Sequence, residues 1–495
     1  MNRPTLRRCL AAAGAALVLT TVGACSAAGG IATSASGSGT ATSGTTSVDA
    51  AAISTDAPTL DDTHAQTDDA AYDVTGATIV TLADGATTVD GGGASVAGDV
   101  VTINAAGTYT LSGSLSDGQV VVDSPGEGKV VLILDGVDLS SSSTSPLVVT
   151  AADEVVVALA DGSVNALSDA AAAAADDEQT DAPTATLFSM ADLTITGTGT
   201  GTLDVTGASN DGIASKDGLV VLGGVLTIDA VDDGLRGKDY LVVEDGDLTI
   251  TAGGDALKSD SDTAGELGWV LVDGGTVTAS GTSDGVDAVG AVYVVDGTLT
   301  VPSSGEGLEA AVIAVSGGVV DVTASDDGLN ATDGSEAGGG EGVQEGVGLS
   351  ITGGTVLVAA GSDSIDSNGT ASVTGGTLAV AAGGQSALGG PGGGPGGGTG
   401  VFDVNGAVEA SGVVSLDTST IEPGQQVQIL DTDGQTVASY TAAAASPSTS
   451  VTSAGIAAGH TYSVVVAGTE TTTAPASAAA SAGGGGRGRG GPGRG

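Results

Sequence analysis

The chain has 495 residues, with 60 Asp and Glu against 11 Lys and Arg, a formal net charge of −49 at pH 7, and 86 glycines. That charge repels phosphate backbones and excludes a nucleic-acid partner, and the lack of a strict glycine triplet excludes collagen. Aromatics at 2% leave a core of Val, Ala, Leu and Ile interrupted by Gly and Asp, the composition of many short strands joined by tight turns.

At the amino terminus, Arg3, Arg7 and Arg8 precede an apolar run at 10–19 that is too short for a stable membrane span. The run leads into Val22-Gly23-Ala24-Cys25, which resembles the lipobox of bacterial lipoproteins. The resemblance implies a signal peptide over 1–24, lipidation at Cys25, and anchorage to the outer face of the bacterial cytoplasmic membrane or cell envelope through the lipid alone. An ordinary signal peptide cut after a small residue is the alternative. Cys9 leaves with the signal in either case, so no disulfide forms within one mature chain. Residues 25–71 are rich in Ala, Ser, Thr, Gly and Asp and read as a disordered tether.

Strand-rich sequence begins near 72 and turns periodic after about residue 210. Aliphatic strands end in Gly-Gly or Asp-Gly pairs whose second glycines fall at 224, 246, 275, 297, 318, 354 and 376. The gaps are 22, 29, 22, 21, 36 and 22 residues, with the extra length falling near 259–265 and 333–345. From each of the first six marks, an acidic residue lies 9 positions on: Asp233, Asp255, Asp284, Glu306, Asp327 and Asp363, with Asp211 opening the column. A period near 22 with insertions at one corner is the signature of a solenoid. Alternation of apolar residues within the strands, with three short strands fitting into about 22 residues, then predicts an all-β fold, a parallel β-helix over 72–390. A Gly/Pro-rich linker over 391–412 follows, then a small β module over 413–470 with a hairpin near Asp431, and a disordered Gly/Arg tail over 471–495.

Three groups of residues carry candidate chemistry. Acidic residues stacked on successive coils about 4.8 Å apart repel one another, so Asp211, Asp233, Asp255, Asp284 and Asp327 are candidate ligands for Ca²⁺, which takes 6–8 oxygens. Capping of turns through backbone N–H groups is the competing role. Lys216, Arg236, Lys238 and Lys258 lie within 43 residues, each just after an acidic corner. They are expected either to neutralise the column or to bind ligand carboxylates. Tyr240, Trp269 and Tyr293 share one parity and predict an outward aromatic strip for stacking sugar rings. His64 in the tether and His460 in the module give no expectation of a Ser-His-Asp triad.

The run Asn210-Asp211-Gly212-Ile213-Ala214-Ser215-Lys216-Asp217, followed by Asp232-Asp233-Gly234-Leu235-Arg236-Gly237-Lys238-Asp239, resembles the clostridial-type carbohydrate-binding domain family, whose members are similar in fold to family 9 polysaccharide lyases. The resemblance covers roughly 72–384. It implies a right-handed parallel β-helix that binds Ca²⁺ and polysaccharide, cellulose or acidic pectin-like glycans, without catalysis; the chain is expected to be a monomer. One alternative is a Ca²⁺-dependent pectate-type lyase with Lys216 or Lys238 as base; another is a structural adhesin or spacer. The motif departs at Asp255, which is followed by Ala256, and no Lys follows the corner beyond Lys258.

Overall fold

A computed structural model describes residues 55–170, 182–261, 267–334, 343–381, 402–416, 421–442 and 449–479. The signal segment, Cys25, and the tail after 479 lie outside the described residues. Those residues contain strands and two short 3-10 turns, Leu60–Asp62 and Thr67–Ala70.

Over 164–373 the strands pair in parallel with the second or third strand after them, so the chain revisits three ladders in turn. The first ladder holds Thr202–Gly207, Val225–Ala230, Asp247–Ala252, Thr276–Gly281, Thr298–Ser304, Val319–Ala324, Thr355–Ala360 and Thr377–Ala381. Its register runs Leu226, Leu248, Val277, Leu299, Val320, Val356, Leu378, in steps of 22, 29, 22, 21, 36 and 22. These are the gaps counted between the glycine marks, and the long steps fall at the two expected places. The second ladder stacks Leu187, Ile213, Leu235, Leu257, Val286, Leu308, Leu329 and Ile365. The third stacks Leu193, Leu219, Leu241, Val270, Val292, Ile313 and Leu349.

All three stacks belong to one continuous buried core. Each fully buried Leu, Ile or Val contributes about 1.5–3 kcal/mol. The second glycine of each pair turns the chain out of the third ladder and into the first. Gly275, Gly297, Gly318, Gly354 and Gly376 sit at φ between 61° and 77°, where a β-branched residue is strained.

Three segments differ from the sequence expectation, one of them the start of the tail read as disordered from 471, where Thr469–Ser477 forms a strand paired with Thr461–Val466 and with Val413–Leu416. Residues 55–71 do not hang free as a tether. They carry both 3-10 turns and lie on the outward face of the third ladder, with Ala57, Leu60 and Ala65 packed around Val220, Val242 and Leu271. In the span read as a linker, Asp403–Val404 pairs with Ile365–Ser367 and Val408–Ala410 with Thr370–Val373. These strands extend the second and third ladders by one more level, because Val404 and Phe402 supply further apolar layers to the core.

The C-terminal module adds antiparallel strands to the same sheet. Thr449–Ser453 pairs with Thr377–Ala381, the last strand of the first ladder, and with Val413–Leu416. A smaller sheet of Gln426–Leu430, Thr436–Thr441 and Thr461–Val466 completes it. The Asp431 hairpin forms as expected, with the carboxylate accepting the N–H groups of Asp433 and Gln435.

Candidate functional site: two carboxylate columns

The acidic residues open the second ladder, where each coil turns in from the first. Asp211, Asp233 and Asp255 are buried, and Asp284, Glu306, Asp327 and Asp363 are half-buried. One oxygen of each aspartate is spent on the next coil. Asp211 accepts the N–H of Asp233 at 3.2 Å, Asp233 that of Asp255 at 2.9 Å, and Asp255 that of Asp284 at 3.0 Å. Asp284 accepts the N–H of Glu306 at 3.3 Å, and Asp327 that of Asp363 at 2.8 Å. The capping role is therefore realised along the column, and the second carboxylate oxygen is what remains for other partners.

Where glycine follows the acid, it is there for space. A methyl on Gly234 lies 2.3 Å from Ile250 Cγ2 and 2.6 Å from the Ala256 carbonyl; one on Gly212 lies 2.4 Å from Ile228 Cγ2. Ile228 and Ile250 are in register with Ala279 on the next coil. The departure at Ala256 falls on the coil where that isoleucine has shrunk to alanine.

A second column stands three residues after the first, which the sequence reading missed. Its register runs Ala214, Arg236, Lys258, Asp287, Glu309, Asn330, Asp366, Asp403. Charge changes sign along it. Arg236 reaches Asp260 at 2.5 Å and Asp211 at 3.7 Å. Lys258 reaches Asp255 at 2.5 Å, Asp233 at 3.4 Å and Asp287 at 3.7 Å. Those carboxylates hold the Lys258 ammonium well above its ordinary pKa despite its burial, so it is a fixed cation rather than a base. Lys216 and Lys238 belong elsewhere: they follow Ser215 and Gly237, which pair at the far end of the strands. The four cations thus divide between two positions instead of forming one patch.

Beyond Lys258 neither column carries a cation, and all but Asn330 of their residues are acidic. Oxygens of Asp284, Glu306 and Glu309 lie within 4.8 Å of one another, as do those of Asp255, Asp284 and Asp287, and of Asp211, Asp232 and Asp233. The first group has no Lys, Arg or His partner among the described residues; its polar neighbour is Asn330, donating to Glu306 at 2.7 Å. Burial, a hydrogen bond to Glu306 and the charges of Glu306, Asp284 and Asp287 push Glu309 up to about 9. Burial followed by the charges of Asp255, Glu306 and Asp287 pushes Asp284 to about 7. Burial is again the first cause at Asp233, Asp287 and Asp327, each raised to about 6, and at Asp366, raised to about 7. Asp211 is raised well above 3.8 by burial, and its Oδ2 is buried without a hydrogen-bond donor. Among the described residues Asp327 joins no such group of three.

The aromatic residues sit elsewhere than expected. Tyr240 and Trp269 pair in register on the third ladder and stack at 4.9 Å with 16° between planes. His64 stacks on the other side of Tyr240 at 5.9 Å. Each aromatic ring is 8% exposed, because residues 55–71 cover it. Tyr293 is half-buried in the same cluster. The strip is a covered stack, not an open platform. His64 Nδ1 also lies 3.1 Å from Asp192 and Nε2 2.9 Å from Thr194 Oγ1. In that hydroxyl–imidazole–carboxylate row Thr194 is fully buried and Asp192 half-buried, and its contacts hold the segment down.

Fold and site together define an all-β protein on parallel ladders whose one corner carries a repeating array of carboxylates. The family model described as carbohydrate-binding domain-containing protein matches residues 97–385, more than half of the 495 residues, and the chain belongs to that family. It is 34% identical over 138 residues to a carbohydrate-binding domain-containing protein of Acetivibrio thermocellus, covering 28% of this chain and 48% of the relative. The chain thus spans about half the length of the curated relative it matches. It is also similar to a solved structure of the polysaccharide lyase-like protein from C. thermocellum, a gadolinium derivative. That match has 30% identity and a TM-score of 0.43, covering 50% of this chain and 97% of that one.

Proposed function

We propose that this chain is a non-catalytic, Ca²⁺-dependent polysaccharide-binding protein, exported and held at the cell envelope by a lipid on Cys25. In this reading the three ladders wind as a right-handed parallel β-helix of about 22 residues per coil, the hand favoured for parallel crossovers. The observation that carries it is the Asp284, Glu306 and Glu309 group, inside the span that defines the family. Three carboxylate oxygens within 4.8 Å of one another fit around a single ion with bonds of about 2.3–2.6 Å.

The donor set is all oxygen, matching a hard cation, and no basic side chain of the described residues competes for it. At the other two groups Arg236 and Lys258 already supply positive charge. Asp284, Glu306 and Glu309 would hold the ion, with Asp287 beside Asp284 on the same strand and in register with Glu309. Ca²⁺ there supplies coordination positions for the carboxylate and hydroxyl oxygens of an acidic glycan. The chain's own residues fix where such a glycan lies, since both columns repeat at the coil spacing. Lys258, clamped by three carboxylates, marks the cationic end.

The test is a glycan array carrying cellulose and polygalacturonate fragments, probed with the full chain in Ca²⁺ and in chelator. Retention in Ca²⁺ that disappears in chelator is the expected result. Retention indifferent to chelator overturns the metal dependence, and no retention on any glycan overturns the binding reading. A sustained rise in ultraviolet absorbance with polygalacturonate and Ca²⁺ would assign a lyase instead.

A further inference from the structure

Strands that face water on one side alternate apolar and polar residues, whereas strands covered on both faces run continuously apolar. In the third ladder Gly218–Val221, Tyr240–Val243 and Trp269–Val272 are buried at every position. Their inward residues fill the core, and their outward ones, Val220, Val242 and Leu271, are fully buried only because residues 55–71 lie on them. The cover is thin. It brings three apolar side chains, Ala57, Leu60 and Ala65, of which only Leu60 is large.

Polar contacts at two points do the rest of the holding. The His64 backbone N–H donates to Tyr240 Oη at 2.9 Å, and its ring lies against Tyr240, Asp192 and Thr194. Asp69, itself 8% exposed, places its carboxylate on Lys129 Nζ, which also contacts Glu154 at 2.9 Å. Lys129 lies four ladder steps from Tyr240, through Glu154, Asp192 and Gly218, or about 19 Å at the strand spacing. Apolar contact over an aromatic stack together with a carboxylate on a lysine at that distance is what a short uronate oligosaccharide lying along the ladder offers, with its apolar C–H faces and its carboxylates.

We infer that residues 55–71 are an autoinhibitory clasp: they occupy the aromatic face of the third ladder in place of a uronate-containing glycan, and lifting them opens a second glycan site. Asp69 stands where the sugar carboxylate goes, and His64 holds the clasp on Tyr240. When the clasp lifts, Glu154 still partners Lys129, so the lysine is not left uncompensated. This inference rests on the glycan-binding reading above but uses a different face from the carboxylate columns.

Trp269 is the chain's one tryptophan, which makes the face its own reporter. The experiment compares the full chain with His64→Ala, Asp69→Asn and the double variant, all in chelator so that the carboxylate columns are silent. Acrylamide quenching of Trp269 emission reads clasp opening, and affinity electrophoresis in polygalacturonate reads binding. A face open only a small fraction of the time binds with affinity reduced by that fraction, so opening the clasp is expected to tighten binding at least about tenfold. Quenching should rise in the same order, and Tyr240→Ala added to the double variant should abolish the gain. The single variants keep the test valid should the double variant melt early.

Raised quenching with unchanged polygalacturonate affinity overturns the clasp. Binding by the parent chain in Ca²⁺ would still stand in that case, so the two readings fail separately. Quenching already high in the parent chain also overturns the clasp, and absence of binding in every variant and condition overturns both.

Discussion

Glu309→Gln is expected to stabilise the calcium-free chain and to blunt its response to calcium. Glu309 lies in register with Asp287 and Asn330 and shares its cluster with Asp284 and Glu306. Burial, the hydrogen bond to Glu306 and the surrounding charges raise it from 4.5 to about 9. Because the folded value is the higher one, the folded chain keeps a proton that the unfolded chain gives up. That contribution to stability is full below about 4.5 and is lost as pH rises towards 9. At neutral pH the separation from 4.5 is about 2.5 units, or roughly 3 kcal/mol at 1.36 kcal/mol per unit. Solvent screening of this half-buried group reduces it to about 1–2 kcal/mol. Glutamine keeps the shape and removes the titration, so melting in chelator at pH 7 should rise by about 2 °C. The advantage should vanish near pH 5 and grow towards pH 8.5. If the cluster binds calcium as proposed, calcium at about a hundred times its Kd would stabilise the parent chain by roughly 2.7 kcal/mol, and the variant, short of one ligand, should show a clearly smaller shift. An advantage that does not depend on pH, or an unchanged calcium shift, would refute the reasoning.

Lys258→Met leaves Asp233, Asp255 and Asp287 without their shared cation. The urea midpoint at pH 7 should fall by the equivalent of about 3 kcal/mol, and much less near pH 5, since Asp233 and Asp287 already titrate at about 6; equal losses at both pH values would count against the clamp. Gly234→Ala forces a methyl to within 2.3 Å of Ile250 Cγ2 and should cost about 1–3 kcal/mol in chemical denaturation, while Gly92→Ala, with open space around it, should cost far less. Adding Ile250→Ala should recover part of the Gly234→Ala loss, as the natural pairing of Ala256 with Ala279 does; strict additivity would show that the two positions do not meet.

The periodic half of the structure was legible because the distance from glycine pair to acid is constant. The fixed spacing of nine residues put Asp233, Asp255 and Asp284 in one column, and the register repeats the same steps. The second column escaped because no single residue type runs through it. Arg236, Lys258, Asp287, Glu309 and Asn330 share a position but not a chemistry, and only counting three residues on from each acid would have joined them. The covering segment escaped for a different reason. Its composition is that of a tether, and the signal lay in what it covers: Val220, Val242 and Leu271 are outward residues that water would not be expected to face. The strands at Asp403–Val404 and Val408–Ala410 follow a Gly/Pro-rich run and are too short for alternation to show.

The two oxygens of each column aspartate explain why an acidic stack is tolerated in a fold this negative. One oxygen closes the turn of the next coil, as from Asp233 to the Asp255 N–H, and this bond favours the ionised carboxylate. The other adds to a charge that burial makes costly, and the chain meets that cost unevenly along the axis. Arg236 and Lys258 answer it on the early coils. On the later coils Asp284, Glu309 and Asp366 answer it by holding their protons to about 7, 9 and 7. A cation from solution would relieve the second arrangement far more than the first, because it releases protons there and finds no resident ammonium or guanidinium to displace. The gradient of charge along one ladder therefore sets where an ion gains most, at the coils from Asp284 to Glu309.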